Sequence, residues 1–218
     1  MLASLSGLLY SSWPLGYVLN PVANRGLASN LEALHQPYSW LFVALDILCG
    51  LLVSYLAWHL YGLVQKQQTF VRVAIISYGL FGLTTALDAI LPLDCAADQH
   101  QCGLLLNHPL VILHGIISIA SIGLLTLSLV LLWRTVRAAD TQLRWLPLIL
   151  VGFNVIWFFF GIVTGILLLL DRSSAFSQHV FISACSLWMV ALPYVLVQEI
   201  NRKSLDQKVR VAKTPQRA

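Results

Sequence analysis

Apolar positions dominate the chain in long runs, broken by short polar connections. Five runs have the length of a membrane-crossing helix, roughly 38–63, 71–92, 109–133, 146–170 and 178–199, since a spanning helix needs about 20 mostly apolar residues. A sixth run, roughly 2–19, is shorter and carries Pro14 but no charge. It is read as a sixth span, with a re-entrant or interfacial segment as the alternative. The expected fold is therefore all-α, a polytopic membrane bundle of six transmembrane helices over residues 1–200. Residues 201–218 form a basic tail, expected to be loose.

Composition agrees with the pattern. Hydrophobic residues make up 58% and charged residues only 10% of the 218 positions, against roughly 45–50% and roughly 25% in soluble domains. Mean hydropathy is +0.79. So few charges cannot cover the surface of a soluble domain. A disordered chain, a collagen-like fibre and a nucleic-acid-binding domain are excluded on the same grounds.

The net charge of +4 hides an asymmetry, because six of the thirteen Lys and Arg residues follow residue 201. The 64–70 connection and its edge carry Lys66 and Arg72, and the 134–145 connection carries Arg134, Arg137 and Arg144. With the tail, these form one basic side. The opposite connections, 20–37, 93–108 and 171–177, hold only Arg25 and Arg172. The positive-inside rule places the basic side, and with it both termini, in the cytoplasm. There the tail serves as an orientation anchor. The N-terminus has no basic n-region of the kind that precedes a cleaved signal.

Cys95 and Cys102 share one outward connection. A disulfide is chemically permitted there. Its C-x6-C spacing is not the close C-x-x-C that tunes thiol acidity. A structural staple is therefore favoured over a redox pair serving a quinone.

Polar side chains recur at helical spacing within the spans. The stripes are Ser39, Asp46 and Gly50; Ser77, Thr84 and Asp88; His114, Ser118 and Ser121; Asn154, Trp157, Gly161 and Thr164; and His179, Ser183 and Ser186. Small polar residues in such stripes are ordinary helix-packing residues, and Gly161-x-x-x-Gly165 reads as a close helix contact. Ionisable residues are costlier in lipid. At about 1.5 Å per residue, Asp46 lies about 12 Å, His114 about 8 Å and Asp88 about 6 Å from the outer face. His179 lies at the outer mouth. All four fall in the outer half, with loop residues Glu32, His35, Asp94, Asp98, His100 and His108 on the same side.

The candidate site is thus an outward-opening cluster of Asp46, Asp88, His114, His179 and Ser118. Asp46 and His114 are expected to face each other, with Asp88 flanking. Three kinds of chemistry suit the set. Asp–His pairs can satisfy each other inside the bundle. His114, His179 and Asp46 can ligate zinc or a similar divalent metal, as in a metal-dependent membrane hydrolase or lipid-modifying enzyme. Intramembrane carboxyls can also relay protons in a proton-coupled transporter. Heme between His114 and His179 is a lesser possibility. No H-E-x-x-H, H-x-x-x-H or G-x-S-x-G motif is present. The leading reading is a protein that binds a small molecule or lipid headgroup in the outer cavity, with the bilayer as its environment. It has no nucleic-acid partner.

One family resemblance is carried by short motifs. Residues Pro21, Asn24, Ser29, Leu31 and Ala33, followed by Gln36-Pro37 and a long apolar span, resemble the N-x-x-x-x-S-x-L-x-A…P pattern of a bacterial six-helix family, domain of unknown function 998. Leu91-Pro92-Leu93-Asp94 is similar to that family's Phe-Pro-x-Asp exit. His108 and His114 then open the next span. Ser177-Gln178-His179 with Trp188 resembles its final Gln-Arg…Trp segment, with His179 where the family has Arg. The resemblance covers about 20–199 and implies six helices in a bacterial inner membrane, without implying a reaction. A second similarity, to the membrane-hydrolase superfamily of alkaline ceramidases, is chemical only, because the paired His-x-x-x-His of that group is missing.

Overall fold

A computed structural model describes residues 1–21, 31–32, 36–64, 68–91, 109–137, 146–169 and 175–213. Among these residues there are seven helices and no strand. They are α1 (Leu2–Tyr10), α2 (Trp13–Leu19), α3 (Ser39–Leu63), α4 (Thr69–Ile90), α5 (Pro109–Arg137), α6 (Leu146–Leu169) and α7 (Ala175–Lys213). Four stretches are long and apolar enough to cross a membrane: Ser39–Leu63, Thr69–Ile90, Ile112–Thr135 and Phe176–Gln198. The described part of α6 adds a shorter apolar stretch, Val155–Leu167.

The first apolar run is a helix broken in two. Pro14 has no N–H to donate, so it can sit only in the opening turn of α2. The chain therefore ends α1 at Ser11, whose N–H still bonds Gly7 O at 3.1 Å, and restarts at Trp13. Both pieces run along α7 in the opposite direction. Gly7 of α1 lies against Ser186 and Val190, and Trp13 of α2 bonds Ser183 and stacks on His179.

The helices pack in a ring. α4 lies between α3 and α5, α1 lies between α3 and α7, and α6 rests on α7. Glycine sets the closest contact. A Cβ on Gly50 would stand 2.4 Å from Gly82 O, and one on Gly82 would stand 2.6 Å from Gly50 O. The α3 and α4 backbones therefore touch. By contrast, Gly161 meets the Phe181 ring on α7, while a Cβ on Gly165 would meet nothing within 4 Å. The Gly161-x-x-x-Gly165 reading thus holds at one of its two glycines.

The polar stripes resolve into seams between helices. Ser128 donates to Ala74 O (2.8 Å) and Ser121 to Thr84 (2.6 Å), joining α5 to α4. Trp157 Nε1 donates to Cys185 Sγ (2.8 Å) and Thr164 to Ser177 (2.8 Å), joining α6 to α7. Tyr78 donates to Met189 O at 3.0 Å, tying α4 to α7 across the centre. Around these bonds lies a buried apolar core that includes Cys49, Val53, Phe81, Leu125 and Leu192.

The outer surface of the bundle is strongly apolar. Leu8, Ile119 and Phe159 are among many large side chains left exposed, which suits lipid rather than water. Trp40 and Trp58 stand exposed near the two ends of α3. Their spacing along the helix, about 27 Å, is close to the roughly 30 Å hydrocarbon thickness bounded by aromatic belts. Exposed Phe176 and Tyr194 repeat the spacing on α7.

The segment after Asn201, expected to be loose, instead continues α7 as helix through Lys213. Residues 201–213 contain good helix formers such as Arg, Lys, Leu, Gln and Ala. No Gly or Pro interrupts them before Pro215.

Candidate functional site: a carboxyl and histidine cluster

Asp88 lies in the last turn of α4 and His114 in the second turn of the antiparallel α5, so both stand at one end of the bundle. His114 Nδ1 faces Asp88 Oδ1 at 3.2 Å. The two atoms lie out of line for a full hydrogen bond, and neither has another partner. Ser118, one turn along α5 from His114, donates to Asp88 Oδ2 at 2.7 Å. The carboxyl thus sits between the serine and the histidine. Ser118 does not touch His114, so this is not a nucleophile–base pair. It is a histidine oriented by a carboxylate that a serine holds in place.

Asp46 reaches the same end from α3. Its carboxyl shares a hydrogen bond with that of Glu32, whereas His114 pairs with Asp88. Packing and a side-chain bond bring Glu32 there. Leu31 is buried against Phe42, Trp13 and Leu19. Asn20 Nδ2 donates to Gln36 Oε1 at 3.0 Å, drawing the two ends of the 20–36 connection together. The turn at Leu31–Glu32 is thereby fixed over the end of α3. Asp88 also acts electrostatically on both Glu32 and Asp46. Burial first, then the charge and hydrogen bond of Asp46, then Asp88, hold the Glu32 carboxyl well above its ordinary value of 4.5.

This shift sets a direction for stability. The folded state binds the Glu32 proton more tightly than the unfolded chain. Its contribution is therefore complete below the ordinary value of 4.5 and is lost as pH rises toward the raised folded value. Melting temperature in detergent should fall as pH rises above the ordinary carboxyl range, and less steeply in Glu32→Gln. Identical slopes for the two proteins would contradict the assignment.

His179 is occupied differently. It is buried, stacks on Trp13 (4.2 Å between centroids, 7° between planes) and meets the edge of Tyr17 at 6.1 Å. Its Nε2 has no hydrogen-bond partner. Trp13 Nε1 donates to Ser183 one turn below, at 3.3 Å. The His179, Ser183 and Ser186 stripe is thus the face on which the broken first helix docks. Among the described residues no group of three His, Cys, Asp or Glu stands together as a metal-ligand set. Cys95 and Cys102 lie outside the described residues, and Cys49 and Cys185 are free and buried.

Two residues of the site escaped the sequence-level reading as partners. Glu32 was visible only as one of several acidic or histidine loop residues, and Trp13 carried no sign of a histidine partner. The left-over signal for Glu32 was its position in a short polar connection directly before the span that carries Asp46.

The long apolar helices, exposed apolar flanks and polar end cluster define a membrane-type helical protein. The chain belongs to the family described as Protein of unknown function (DUF998), whose model matches residues 5–194. No curated protein matches the chain. No solved structure matches it either.

Proposed function

We propose that this is a six-span protein of a bacterial inner membrane, with both termini cytoplasmic, that binds a small molecule or lipid headgroup at its outer end. The first span is the broken pair α1–α2, and the other five are α3 to α7. The observation that carries the reading is the convergence of Glu32, Asp46, Asp88, His114 and Ser118 at one end of the bundle. Arg72, Arg134 and the basic extension of α7 belong to the opposite end. No Lys or Arg stands in the cluster among the described residues. A ligand with an amine or ammonium group complements it. His114, oriented by Asp88, is placed to exchange a proton with such a group. The apolar core around Val53, Tyr78, Phe81 and Leu125 favours a one-sided site over a through-passage.

The test is a thermal-shift titration of the purified protein with glycerophosphoethanolamine, using glycerol phosphate as the anionic control. The amine probe should raise the melting temperature of the wild type and leave Asp88→Asn unmoved. Equal shifts from both probes, or from both proteins, would count against the reading.

A further inference from the structure

We propose that Arg72 and Tyr61 form a headgroup site for an anionic phospholipid, at the end of the bundle opposite the carboxyl cluster. Tyr61 lies in the last turn of α3 and Arg72 in the first turn of α4, so the connection between them brings the two side chains to one rim. The guanidinium carbon lies 4.5 Å above the centre of the Tyr61 ring. Arg72 Nη2 donates to the Tyr61 hydroxyl, while Nε is buried without a partner, so the guanidinium presents its Nη end outward. No carboxylate pairs with Arg72 among the described residues. The result is a guanidinium held over an aromatic ring, with no partner for its Nη1 end among the described residues.

An arginine fixed in this way matches a phosphate oxyanion, because its fork meets two oxygens at once and its orientation is already set. The surroundings indicate a lipid as the source of the phosphate. Trp58 (81% exposed), near the end of α3, and Phe70 (60% exposed), in the opening turn of α4, leave open apolar surface at the same end of the bundle. A free phosphate gains nothing from that surface, whereas an acyl-linked one keeps its chains against it. Arg134, exposed near the end of α5, adds positive charge at the same end but has no aromatic cradle among the described contacts. The proposal uses no residue of the carboxyl cluster and does not depend on which leaflet is cytoplasmic.

The experiment is native mass spectrometry of the protein released from mixed micelles of phosphatidylglycerol and phosphatidylcholine. The wild type should retain phosphatidylglycerol preferentially. Arg72→Gln should lower that retention roughly tenfold, the worth of a charge-assisted fork, while Arg134→Gln leaves it nearly unchanged. Arg72→Lys should fall between wild type and Arg72→Gln, because it keeps the charge and loses the fork. Tyr61→Phe, which keeps the ring, gives a second reading with an intact arginine and should reduce retention only in part. Equal retention of the two lipids would overturn the proposal, as would equal losses in Arg72→Gln and Arg134→Gln. Displacement of the bound lipid by excess inorganic phosphate would also overturn it, since the site would then select the free anion.

Discussion

Gly82→Ala should destabilise the protein, although the same change at an open helical position such as Gly123 should not. Alanine has the better helix propensity, by roughly 0.8–1.0 kcal/mol. At Gly82 that gain meets a close contact. The new methyl would lie 2.6 Å from the Gly50 carbonyl oxygen and 2.8 Å from two carbons of Val53. The oxygen belongs to a helix backbone and cannot turn aside, so α3 and α4 must separate. Overpacking of this kind costs roughly 1–3 kcal/mol, and a backbone clash lies at the upper end. Gly82→Val adds a branched side chain at the same place and should be worse. Gly123 on α5 is the control, because a Cβ there meets nothing within 4 Å. Melting temperatures in one detergent should fall for Gly82→Ala and hold or rise for Gly123→Ala. Equal changes in the two variants would refute the close crossing.

The second large effect concerns the Asp88–His114 pair. Removing either partner leaves the other at the membrane end of the bundle without its complement. Complete burial would make that loss roughly 3–5 kcal/mol. Here the side chains keep 22% and 15% exposure, so solvent screens part of it and roughly 1–3 kcal/mol is the better figure. A double-mutant cycle of Asp88→Asn and His114→Gln, read by thermal stability, should show the two changes to be strongly coupled. Asp46→Asn paired with His114→Gln should couple less, because Asp46 is bonded to Glu32. A larger coupling to Asp46 than to Asp88 would falsify the arrangement.

Much of the helical framework was legible in the sequence. The run at 38–63 is α3 at Ser39–Leu63, and the run at 146–170 is α6 at Leu146–Leu169. Apolar length and helical spacing are local properties, and lipid leaves a spanning backbone few alternatives. The stripes were legible for the same reason, since Ser118 and Ser121 on α5 do line up toward α4. Partner identity was harder. Depth along a helix can be counted from sequence, but rotation about the helix axis cannot. Asp46 and His114 fall in the same half of the bundle by residue count, yet Asp46 interacts with Glu32, a residue of the preceding connection. His179 was grouped with Asp46 and His114, yet it stacks on Trp13. Gly50 and Gly82 carry no mutual sequence signal, because their contact is made by two helices crossing. The first run was read as one span despite Pro14, so neither its break at Ser11 nor its docking on α7 was read from the sequence.

The central claim is that the carboxyl and histidine cluster recognises a ligand rather than serving only as a brace. Direct calorimetric binding of glycerophosphoethanolamine to the wild type and to the Asp88→Asn, His114→Gln double variant addresses it, provided both proteins are folded at the temperature used. The wild type should bind the amine probe, and the double variant should lose that binding while retaining its helical content and monodispersity. Equal binding by both proteins, or none by a folded wild type, would contradict it.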